Sequence, residues 1–179
     1  MKQITLILLV VLQNTNTGLC QQKYNSVEKL IKEVSRQYTA DDKNLKIVSN
    51  DIKSPKLEII TEVIQGNDIN TFNRKEIVLL AMQIFCYSNA DEVSITATPL
   101  EITFTTPGNI KTKKEKLLTN YKTTAKITRA QALTTNSRLL NVKEFKDLFD
   151  TSFSISGIPN EKLKNAMYNS NYYRQLTTI

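Results

Sequence analysis

Between Lys56 and Phe104 the spacing of apolar residues changes period twice, and that change constrains the fold more than anything else in the chain. In KLEIITEVI, residues 56–64, side chains alternate: Leu57, Ile59, Thr61 and Val63 fall on one side, Glu58, Ile60, Glu62 and Ile64 on the other. A repeat of two is the pattern of a strand. Gly66-Asn67-Asp68 then supplies turn chemistry. From Asn73 the repeat lengthens to that of a helix. Ile77, Leu80, Ala81, Ile84 and Phe85 form one face, which Val78, Leu79 and Met82 widen until little of the surface is polar. A helix apolar nearly all round belongs in a core. Asn73 with Glu76 reads as a capping box at its start. Alternation returns with Val93, Ile95 and Ala97, and again with Leu100, Ile102 and Phe104. Pro99 between them has no N–H to donate, which predicts a bent or bulged strand, or two short ones, near a sheet edge. Strand 56–64, helix 73–87 and strand 92–104 make a β-α-β unit, and a crossover of this length joins parallel neighbours.

The flanking segments predict more helix than sheet. Val27, Leu30, Ile31, Val34 and Tyr38 share a helical face behind Ser26, an N-cap residue. Leu45–Ser49 predicts a short strand, and Ser54-Pro55 a break. Thr106-Pro107-Gly108-Asn109 suits a type II turn. Leu117, Leu118, Tyr121 and Ala125 permit an amphipathic helix with its lysines outside, although the threonines around them oppose it. Thr128 with Gln131, and Asn141 with Glu144, resemble capping boxes. The second precedes the apolar face Val142, Phe145, Leu148 and Phe149. Ser152–Ser156 predicts a strand, and Pro159 the start of a last helix whose inner side is Leu163, Ala166 and Met167. Continued, that helix would align Tyr168 with Tyr172. The expected fold class is α+β, a small mixed sheet built around the β-α-β unit, with helices on one face.

Lys2, the apolar run Ile4–Leu12 and polar Gln13–Thr17 have the order of a secretory signal. The run falls short of the roughly 20 apolar residues a membrane-spanning helix needs. A cut after Cys20 leaves Gln21 first, with Gly18 at the third position before the cut. A lipoprotein site would cut before Cys20 and lipidate it, but Leu19 and Thr17 suit that site poorly. The order GLCQQ resembles leaders of exported proteins from some low-GC bacteria. The expectation is a leader over residues 1–20 and a single α+β domain over 21–179, exported to the periplasm or the extracellular space, with lipid anchoring at Cys20 as the lesser alternative. A chain of that length buries roughly 70% of its unfolded surface, so it needs no disulfide or metal staple. No second apolar stretch predicts a transmembrane helix in the mature chain.

Several chemistries are excluded outright. The chain has no histidine, which removes Ser–His–Asp and Cys–His catalysis and histidine metal sites. Gly66, Gly108 and Gly157 are too scattered for a phosphate-cradling loop, and no metal or cofactor is expected. Cys86, at the apolar end of the central helix, is expected to be a buried small hydrophobe. Glu58 and Glu62 lie roughly 13 Å apart along a strand, beyond the roughly 5–9.5 Å of glycosidase carboxylate pairs.

What remains is charge. The formal net charge is +7. Residues 111–129 hold seven cations, Lys111, Lys113, Lys114, Lys116, Lys122, Lys126 and Arg129, against Glu115 alone, a net +6. With Lys2 in the leader, the rest of the chain is neutral. These seven residues are the candidate binding site. They predict an acidic protein partner or an anionic envelope surface. Nucleic acid is not expected, since Tyr121 alone in the segment offers a stacking ring. The expected function is that of a non-catalytic exported bacterial binding or accessory protein. The alternatives are an atypical hydrolase or lyase using carboxylate, tyrosine or Lys/Arg chemistry, and an inhibitor or immunity-type protein.

Overall fold

The computed structural model describes residues 23–35, 43–104, 113–150 and 157–177. The leader expected over 1–20 with Cys20, Tyr38 of the first expected helix, the turn expected at 106–109 and the strand expected at 152–156 lie outside the described residues.

The β-α-β unit is the centre of the fold. β2 (Lys56–Ile64) and β3 (Glu92–Phe104) pair in parallel from Lys56↔Ser94 to Ile64↔Ile102, joined by α2 (Ile69–Tyr87). β1 (Leu45–Ser49) runs antiparallel to β2 and its ladder reaches Ile59, so among the described residues the second half of β2 has an open edge. On the far side of β3 two short strands lie end to end. β4 (Lys113–Leu117) pairs with its C-terminal half and β5 (Thr123–Thr128) with its N-terminal half, both antiparallel. β3 is therefore an interior strand, one position in from the edge that β4 and β5 form.

Pro99 explains the break between β4 and β5. Its carbonyl accepts the Leu118 N–H at 2.8 Å, but it has no N–H to return. β3 runs straight through, and the partner leaves instead. Between Leu117, opposite Leu100, and Thr123, opposite Ala97, the chain makes a 3₁₀ turn at Thr119–Tyr121. Segment 111–129 is thus not the amphipathic helix that Leu117, Leu118 and Tyr121 suggest. Its β-branched residues Thr123, Thr124, Ile127 and Thr128 favour the extended chain, and alternation buries Ala125 and Ile127 beneath exposed Thr124 and Lys126.

α2 begins at Asp68, whose carboxylate accepts the Asn70 N–H at 3.0 Å, and not at Asn73. Asn73 instead lies fully buried inside the helix. Its side chain accepts from the Thr61 hydroxyl on β2 and donates to the Tyr121 carbonyl at 3.1 Å and Thr123 Oγ1 at 3.4 Å. One amide thus ties the helix to two strands and satisfies the carbonyl that the 3₁₀ turn leaves unpaired in the ladder.

Among the described residues the helices pack on one face of the sheet. Leu57, Ile59, Val63, Val93, Ile95, Ala97, Ala125 and Ile127 are buried under α2 and its neighbours. α1 (Val27–Val34), capped by Ser26, buries Val27, Leu30, Ile31 and Val34 against α2. α3 (Arg129–Leu140) is capped by Thr128, whose hydroxyl accepts the Gln131 N–H. Asn141 is the left-handed C-cap of α3 and not a helix start. The expected face Val142, Phe145, Leu148 and Phe149 is buried around a 3₁₀ turn at Phe145–Leu148. Phe145 stacks on Phe85 with centroids 5.3 Å apart. Each large apolar side chain so covered contributes about 1.5–3 kcal/mol.

The C-terminus forms two helices where one was expected. α4 (Glu161–Met167) is capped by Asn160, and Asn169 caps α5 (Ser170–Thr177) by accepting the Asn171 and Tyr172 N–H groups. The break separates the tyrosines. Tyr172 is buried, donates to the Asn136 side chain, and has its pKa raised by burial. Tyr168 is exposed, its ring 5.6 Å from the Lys75 ammonium.

Candidate functional site

Among the described residues β4 is the open edge of the sheet beyond β3, and all five of its residues are exposed. Alternation divides them. Lys113, Glu115 and Leu117 stand beside Phe104, Ile102 and Leu100 on the helix-free face, while Lys114 and Lys116 stand opposite Thr103 and Glu101 on the helix-bearing face. Three apolar side chains around this end of the helix-free face remain about half exposed: Ile64, Phe104 and Leu117. Their alternation is visible in the sequence. That no helix covers them is not.

The six candidate cations among the described residues do not share one face. Lys111 lies outside the described residues. Lys113 donates to Glu115 across 2.6 Å, and this contact raises the lysine's pKa and lowers the glutamate's. Lys126 pairs with Glu92 of β3 at 2.9 Å. These two lysines are therefore largely compensated. Lys122 is exposed just after the 3₁₀ turn. Lys114, Lys116 and Lys122 form no ion pair among the described residues, although Lys116 has Glu101 opposite it in the ladder.

Arg129 makes its contacts within the fold. Its guanidinium is turned inward over the end of α2, donating to the carbonyls of Ala90 at 2.6 Å, Phe85 at 2.8 Å and Ser88 at 2.8 Å. It lies beside both the Phe85 and Phe145 rings, 5.2 and 5.1 Å from their centroids. Partial burial lowers its pKa, leaving it cationic. Lys23 joins it, donating to Cys86 O and Ser88 O. A helix C-terminus leaves carbonyls without N–H partners and carries partial negative charge, so two cations there serve the fold.

Two concavities bear on catalysis. One, of about 250 Å³, lies between the open half of β2 and the start of α2, lined by Asn44, Thr61, Glu62, Phe72, Lys75 and Glu76. Glu76 is buried there with Lys75 at 3.8 Å. The Lys75 ammonium is also held over the Phe72 and Tyr168 rings. The pair is committed to its own neighbours. A wider open groove is lined by Lys23, Phe85, Cys86, Lys143 and Phe145. Cys86 at its base is buried, as its apolar context implies. Among the described residues no group of three His, Cys, Asp or Glu side chains could hold a metal ion, and no helix is long and apolar enough to cross a membrane.

Compared with protein-family models, curated proteins and solved structures, the chain matches none.

Proposed function

We propose that this chain is an exported, non-catalytic binding protein that holds an acidic protein partner along β4. The observation that carries this reading is the edge strand itself: every residue of Lys113–Leu117 is exposed, and Lys114 and Lys116 share one face with no ion pair among the described residues. Such lysines discourage nonspecific pairing of a sheet edge and leave a positive stripe for an acidic surface. The test is binding of a soluble glutamate-rich peptide, with a neutral peptide of equal length and vesicles of anionic lipid as parallel arms. Exposed ion pairs are worth about 0.2–1 kcal/mol each. Reversing both charges in Lys114→Glu/Lys116→Glu should therefore weaken the acidic peptide about 10- to 100-fold, and raised salt should weaken the parent likewise. Unchanged affinity in the double variant would remove β4 as the site. Vesicle binding without peptide binding would replace the protein partner with a membrane surface.

Export rests on Lys2, the apolar run from Ile4 to Leu12 and the polar residues after it. The expected mature protein begins at Gln21. Intact mass of the protein recovered from its host checks this, and a diacylglycerol adduct on Cys20 would show lipid anchoring instead.

A further inference from the structure

We infer that the acidic partner binds by strand addition, as an extended segment that pairs with β4 and extends the sheet. This rests on the acidic-partner reading and specifies its geometry.

The direction of the β4 main chain follows from one hydrogen bond. Leu118 donates to Pro99, so Leu118 faces β3. Main-chain groups alternate sides along a strand, so Lys116 and Lys114 also turn their N–H and C=O toward β3. Lys113, Glu115 and Leu117 then turn theirs outward. The open edge thus presents alternate donors and acceptors to a strand laid beside it.

Charge selects the occupant. In an antiparallel pairing of two copies centred on Glu115, Glu115 meets its own copy and Lys114 meets Lys116. Both are like-charge pairs, which oppose self-association. An extended segment with acidic residues two positions apart places a carboxylate opposite each of Lys114 and Lys116 on the helix-bearing face. The same segment satisfies the outward main-chain groups of Lys113, Glu115 and Leu117. Flat docking of a membrane gains little here, because on the other face Lys113 is already neutralised by Glu115.

Proline at position 115 separates the two modes of binding. Glu115→Pro removes one outward N–H while leaving the bonds to β3 in place, and proline is tolerated in edge strands at such positions. It also deletes the only carboxylate of β4, making the edge more basic. Attraction by charge alone predicts tighter binding of an acidic peptide. Strand addition predicts weaker binding. The probe is a short end-blocked peptide alternating glutamate and threonine. Glu115→Gln should bind it as well as the parent or a few-fold tighter, and Glu115→Pro about tenfold or more weaker, through loss of a main-chain bond and of edge geometry. A second probe leaves the protein untouched: the same peptide with alternate backbone nitrogens methylated keeps its charge, loses its donors, and should bind about tenfold or more weaker. If Glu115→Pro, folded by circular dichroism, and the methylated peptide both match their controls, strand addition is wrong while the acidic-partner reading stands. If Lys114→Glu/Lys116→Glu binds like the parent, both fall together.

Discussion

Gly157→Ala is expected to destabilise the protein by about 3 kcal/mol, the largest effect of any single methyl group considered. Gly157 has φ +79, in the left-handed region. A Cβ built there would sit 2.7 Å from Val34 Cγ1 and 2.8 Å from the Val34 carbonyl oxygen. The first of these could rotate away. The second is backbone at the end of α1 and cannot move without the helix. Gly157 is also fixed from both sides, donating its N–H to the Tyr87 hydroxyl at 3.0 Å and accepting from the Gln83 side chain at 3.0 Å. A strained φ costs about 1–3 kcal/mol, and overpacking costs about as much again. Gly66→Ala is the internal control. Gly66 has φ +94, but its added Cβ would meet nothing within 4 Å. It bears the conformational cost alone, about 1 kcal/mol. Urea midpoints of the two variants should differ clearly. Equal losses would mean that Gly157 does not approach Val34 in solution.

Arg129→Met should cost about 2–3 kcal/mol and leave acidic-peptide binding intact at temperatures where the variant is folded. Methionine keeps an apolar stem beside Phe85 and Phe145 but removes the guanidinium donors to Phe85 O, Ser88 O and Ala90 O. Half-buried carbonyls left without partners cost about 1–3 kcal/mol each, and water at the helix end offsets part of that. Ser88 O keeps the Lys23 ammonium at 3.3 Å. Arg129→Lys should fall between the two, since one ammonium cannot span three carbonyls as a guanidinium does. Thermal unfolding measures the stability loss, and peptide titration of the same variants measures binding. A variant of parental stability with weakened binding would return Arg129 to the binding site and contradict its role as the cap of α2.

The strand–helix–strand unit was legible because its signal is local. Leu57, Ile59 and Val63 alternate, Ile77, Leu80, Ala81 and Ile84 recur at helical spacing, and both strands end where the sequence places them. Segment 111–129 misled because Leu117, Leu118 and Tyr121 fall at spacings a helix would use, while the decisive interaction, pairing with β3, is not local. Asn73 reads as a cap because capping and burial ask for the same polar side chain. Only the tertiary partners Thr61, Tyr121 and Thr123 separate the two roles. Arg129 counted as one cation among seven because net charge carries no direction. The groups it serves lie 39 to 44 residues earlier in the chain. The lysines cluster in sequence. The sheet then divided them between two faces, gave Lys113 and Lys126 their own carboxylates, and left Lys114 and Lys116 on an edge that no residue pattern reveals.

The measurement that bears most directly on β4 as the binding edge is an amide-resolved NMR titration of the full folded chain with the glutamate–threonine peptide. The largest shift changes are expected at Lys113–Leu117. Hydrogen exchange should slow at Lys113, Glu115 and Leu117, whose N–H groups face outward, with little change at Lys114 and Lys116, which already bond to β3. Changes centred on Lys75 and Glu76, or on Lys126, with β4 unaffected, would contradict the account.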